Sequence, residues 1–110
     1  MVKNADGPAG SPPALDQWQA HSAIQRLLGR PHGVTFTRHC RQPALERNFS
    51  TEDVWRVLSQ GSVGPTPDWD DKRQEWVYRV SGRDCDNDPL TVRVVIDEDH
   101  GVLRVVTAHE

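Results

Sequence analysis

Two periodicities divide this chain. Leu15 and Trp18 stand three apart, and Ala20, Ile24, Leu27 and Leu28 continue an apolar stripe at helical spacing. Gly29 and Pro31 close that stripe, so a helix is expected over about residues 14–29. A short apolar strand follows at residues 34–37. A second helix carries both its start and its stop. Ser50 is an N-cap, Asp53 sits at the third helical position, Val54, Val57 and Leu58 form the stripe, and Gly61 is a C′ glycine. Beyond Gly61 the period changes to two. Residues 75–80 put Trp76, Tyr78 and Val80 on one face; residues 90–96 put Leu90, Val92, Val94 and Ile96 on one face and Thr91, Arg93 and Val95 on the other. A last strand spans residues 102–107. Residues 62–72, with Gly64, Pro65, Pro67 and aspartates around Trp69, read as a loop whose tryptophan either touches a ligand or, the commoner outcome, anchors on the core.

Consecutive strands joined by short turns form an antiparallel meander, and the helical stripes supply its missing partner face. The expected fold is α+β, with N-terminal helices packed on a small antiparallel β-meander sheet. Its core would join Val54, Val57, Leu58 and Phe36 to Trp76, Leu90, Val92, Val94, Ile96, Leu103 and Val105. Residues 1–13, rich in Gly, Pro, Ala and Asn, offer nothing to bury and are expected to form a disordered tail ahead of one domain over residues 14–110.

Composition narrows the class. The chain has 110 residues, enough for one modest core, with 35% hydrophobic and 26% charged residues. No run approaches the roughly 20 apolar residues of a membrane span, and the N-terminus lacks a signal-peptide core, so a cytoplasmic protein without a membrane partner is expected. Two cysteines, Cys40 and Cys85, are too few for a disulfide framework; free thiols suit a reducing cytoplasm better than a bridge between them. The formal net charge of −3 argues against a dedicated nucleic-acid binder. Its distribution qualifies that. Residues 34–60 carry four basic against three acidic residues, whereas residues 61–110 carry six basic against eleven acidic ones.

His39 is the first candidate for chemistry, because imidazole serves as general acid or base near neutral pH. Arg47 has the planar fork that grips phosphate oxygens, although in an unbroken helix it would lie about 12 Å from His39 along the axis. The plainer reading is that His39 buttresses the sheet and Arg47 pairs with Glu46 or Asp53. Arg79 and Tyr78 share a strand but point to opposite faces, so at most one joins a site with His39. His109 reads as a terminal residue. No spacing preorganises a metal, no glycine-rich loop cradles phosphate, and no nucleotide cofactor is expected.

Thr37, His39, Arg47, Ser50, Asp53, Val54, Val57, Leu58 and Gly61, followed by the three meander strands, resemble the DUF4258 family of small bacterial domains over residues 34–107. Members resemble in fold the RelE-like ribonuclease toxins. The resemblance implies a metal-independent ribonuclease of a toxin–antitoxin or mobile-element system, with RNA or a ribosome as target and an antitoxin or other protein as partner. His39 and Arg47 would then be catalytic, and Arg41 and Arg79 would bind phosphate. The chain departs from the family pattern at Pro43, where an arginine usually follows the histidine by four residues; Arg41 is the nearest replacement cation. The competing expectation is a non-catalytic interaction module on the same fold.

Overall fold

A computed structural model describes residues 10–37 and 50–109. The order of elements is α1 (Gln17–Leu28), β1 (Val34–Phe36), α2 (Thr51–Gln60), β2 (Ser62–Val63), β3 (Asp68–Asp70), β4 (Glu75–Arg83), β5 (Pro89–Asp97) and β6 (Val102–His109). This is an α+β fold: the two described helices pack on one face of a six-stranded sheet ordered β1-β6-β5-β4-β2, with β3 also on β4.

Both helices start where their caps dictate. Asp16 accepts the Gln19 amide at 2.7 Å while the Gln19 side chain accepts the Asp16 amide, a reciprocal capping box. Ser50 and Asp53 form the same arrangement at α2. The start of α1 corrects one expectation. Ala20, Ile24, Leu27 and Leu28 are buried, but Trp18 is 76% exposed. Two residues turn an α-helix by about 200°, so the ring before Ala20 points away from the sheet.

The meander forms as its alternation requires. β4, β5 and β6 pair antiparallel, and Trp76, Tyr78, Val80, Leu90, Val92, Val94, Leu103 and Val105 join Val54, Val57 and Leu58 in one buried cluster, with Phe36 and Ile96 packed against it. The sheet is mixed, however, because β1 pairs parallel to β6 through Val34–Leu103, Thr35–Arg104 and Phe36–Val105. Parallel pairing is available there because a long connection, not a hairpin, separates the two strands.

The stretch expected to be a loop also carries order. β2 pairs with Val80 and Ser81, and β3 pairs with Glu75, Trp76 and Val77, so both extend the same edge of β4. Gly64 and Pro65 lie between them, and the Gly64 amide still donates to the Arg79 carbonyl at 2.8 Å. Trp69 meets Trp76 edge-on with ring centroids 5.0 Å apart, the anchoring expected of it. Ahead of α1, the Trp76 indole donates to the Pro12 carbonyl and the Leu15 amide donates to the Tyr78 hydroxyl, tying residues 12–15 to β4. Burial pushes the Tyr78 hydroxyl's pKa up.

Candidate functional site

The sheet face opposite the helices carries the polar half of each alternating strand. Strand register sets its side chains in rows. Arg79, Arg93 and Thr107 form one, and Ser81, Thr91 and His109 form the next. Arg79 and Arg93 reach this face by simple alternation, since Tyr78, Val80, Val92 and Val94 occupy the other.

Thr107 and His109 reach it by a different route. Arg93 pairs with Thr107 but the next residue, Val94, pairs with Val105, leaving Val106 as one extra residue in β6. Such a bulge reverses the facing of everything beyond it. An unbroken β6 would place Thr107 and His109 under the helices with Leu103 and Val105. With the bulge, Ala108 is buried instead. His109, read from the sequence as a terminal residue, is thus the last residue of a paired strand, opposite Thr91.

These rows line a cleft of about 600 Å³ formed by Asp68, Arg79, Ser81, Thr91, Arg93 and His109. Asp68 enters from β3. Its Oδ2 accepts from Arg79 Nε at 3.0 Å, lies 2.9 Å from a terminal nitrogen of Arg79, and meets an Arg93 terminal nitrogen at 3.5 Å. Among the described residues, one carboxylate faces two guanidiniums, which leaves one positive charge in excess. Ser81 and Thr91 place their hydroxyl oxygens 3.3 Å apart. In the neighbouring row, Arg93 Nε and Thr107 Oγ1 are buried and have no hydrogen-bond partner among the described residues. The arrangement offers charge and hydroxyl groups to an anion.

A second concavity of about 500 Å³ lies at the other end of β4–β6, between residues 12–15 and the β5–β6 turn. Here the charges are largely answered. Arg104 grips Glu75 through two contacts of 3.0 and 3.3 Å, and the His100 ring lies 2.8 Å from Asp97. Burial pushes the Asp97 carboxyl up, but the His100 amide and ring outweigh it and hold the carboxyl below its ordinary value. Glu98 and Asp99 complete an acidic rim.

Of the residues expected to form a site, Arg79 lines the first cleft. His39, Arg41 and Arg47 lie outside the described residues, as do Cys40 and Pro43. Arg93, Asp68 and His109 were not among the expected site residues. The signal for Arg93 was present in the alternation of β5, whereas Asp68 was concealed in an apparent loop and His109 by the bulge. Cys85 is an exposed free thiol, with its pKa raised by its contact with Asp53. Among the described residues, no three or more His, Cys, Asp or Glu side chains are grouped to hold a metal ion, and no helix is long and apolar enough to cross a membrane.

Residues 36–110 match the family model described as Domain of unknown function (DUF4258), and the chain belongs to that family. The match begins inside β1, so α1 lies ahead of it. No curated protein and no solved structure gives a significant match.

Proposed function

We propose that this member of the family acts on RNA as a metal-independent ribonuclease of the toxin–antitoxin or mobile-element kind, with a ribosome or free RNA as target. The observation that supports this reading is the cleft on the sheet's polar face, where Arg79, Arg93 and His109 line one space with two hydroxyl groups. Transesterification at an RNA phosphodiester needs a group to take the 2′-hydroxyl proton, cations to hold charge on the phosphorus centre, and an acid for the leaving 5′-oxygen. Arginine supplies the second requirement. His39 is the proposed general base or acid, with Arg47 and Arg41 as further phosphate contacts; His109 is the imidazole already in the cleft.

A second reading, an interaction module without catalysis, has its own support. Trp18 and Trp55 are 76% and 46% exposed, and exposed tryptophans suit a protein partner such as an antitoxin. Cleavage assays separate the two. Purified protein is expected to cut single-stranded or ribosome-bound RNA in the presence of EDTA. His39→Ala should lose roughly 10²–10⁴-fold in rate, and Arg93→Ala should cleave more slowly while remaining folded. Absence of cleavage by the wild type, with and without ribosomes, would overturn the ribonuclease reading and leave the interaction module.

A further inference from the structure

The two arginines of the cleft are not held alike. Asp68 engages the Arg79 fork at 3.0 and 2.9 Å, whereas its single contact with Arg93 is 3.5 Å, at the outer limit of a hydrogen bond. Arg93 is also the more enclosed, its side chain 32% exposed against 55% for Arg79. Among the described residues its Nε is buried without an acceptor, and the hydroxyl of Thr107, its partner across the strands, is likewise buried without a partner. Buried donors without acceptors are costly, and a guanidinium satisfied at one of five N–H positions retains most of its capacity. The geometry describes a cation site built for more acceptor oxygens than Asp68 provides.

Asp68 is placed to leave. It is the first residue of a three-residue edge strand, its side chain is 36% exposed, and among the described residues both its ion pairs are with these arginines. Partly exposed pairs of this kind hold weakly, little against the charge-assisted contacts of a phosphate. We propose that Asp68 is an internal stand-in for the ligand: it bridges Arg79 and Arg93 until a phosphate oxygen takes its place on Arg93. Resting on the RNA reading, this assigns the cleft to the ribose-phosphate backbone of a single strand. Of the six described lining residues only His109 carries a ring, so these residues offer charge and hydroxyl contacts but almost no stacking surface for bases. Binding there is expected to be sequence-tolerant and salt-dependent.

The test uses the full chain and two probes. Inorganic phosphate is titrated into wild type, Asp68→Asn and Asp68→Ala, and binding is followed through the arginine Nε–H resonances. A fluorescein-labelled single-stranded oligoribonucleotide is titrated in parallel by anisotropy at several salt concentrations. Removing one negative charge a few ångströms from the ligand should tighten phosphate binding by about tenfold at low salt. The Arg93 resonance should move most, and oligonucleotide affinity should fall more steeply with salt than in wild type. Equal or weaker phosphate binding in both folded variants would overturn the proposal and make Asp68 a residue that positions the arginines. Tighter phosphate binding without oligonucleotide binding would uphold the stand-in role while overturning RNA as the ligand.

Discussion

Each oxygen of the Asp53 carboxylate accepts a backbone amide, Oδ2 from Ser50 and Oδ1 from Cys85, both at 2.9 Å. The first closes the capping box of α2; the second fastens the helix to the turn between β4 and β5. These amides, Ser50's foremost, outweigh the cost of burial and hold the carboxyl down to about 2. The folded value lies below the ordinary 3.8 of the unfolded chain, so Asp53 contributes stability that is fully present above about pH 5 and lost as pH falls from about 4 toward 2. Asp53→Asn is therefore expected to be less stable than wild type at pH 7, with the gap closing below pH 4 in urea melts. Parallel curves down to pH 2.5 would show that the carboxylate charge contributes nothing. The capping half of this role is legible in Ser50 and Asp53, three residues apart. The Cys85 contact is not, because it joins residues 32 apart and no local pattern encodes it.

At the scale of elements, Gly61 shows how a correct boundary can have a different cause. The helix stops there as expected, but Gly61 has φ −79° and ψ 178°, an extended conformation open to any residue. Its lack of a side chain matters because a Cβ would lie 2.5 Å from the Val57 carbonyl oxygen and 2.6 Å from that of Ser81. Gly82 on β4 sits against the same point, with its own Cβ position 3.2 Å from the Gly61 Cα. A left-handed cap tolerates asparagine, whereas a close backbone approach does not. Gly61→Ala and Gly61→Asn are both expected to cost roughly 1–3 kcal/mol in reversible denaturation; asparagine matching wild type would restore the left-handed cap. The same distinction between local and long-range causes governs the rest of the fold. Helix stripes and strand alternation revealed α1, α2, β1 and β4–β6 because each is a local periodicity. β2 and β3 have two and three residues and owe their order to the edge of β4. The bulge at Val106 left no mark in a run of apolar residues, and with it the facing of His109 was hidden.

The whole molecule joins the family-matched segment, residues 36–110, to a helix that precedes it. Sequence periodicity identified α1 as a layer on the core, and the structure gives that layer weight. Ile24, Leu27 and Leu28 belong to the same buried cluster as the meander, and Gln17 and Gln25 donate through their side chains to the carbonyls of Val63 and Leu58. Burial of three large aliphatic side chains contributes roughly 5–9 kcal/mol. That is comparable with the whole stability of a small domain, about 5–15 kcal/mol. The polar cleft lies on the opposite face, yet its geometry depends on strands whose inner side α1 covers. A truncated chain of residues 34–110 is therefore expected to lose cooperative unfolding, expose its apolar face and lose phosphate binding at Arg93, although every cleft residue is still present. Far-UV circular dichroism, urea melts and the arginine Nε–H resonances can be read on one sample. A cooperative melt with native-like resonances would mean that the sheet and α2 suffice. Their joint loss, with recovery when residues 10–33 are restored, would establish that the helix ahead of the family segment holds the candidate site in shape from behind.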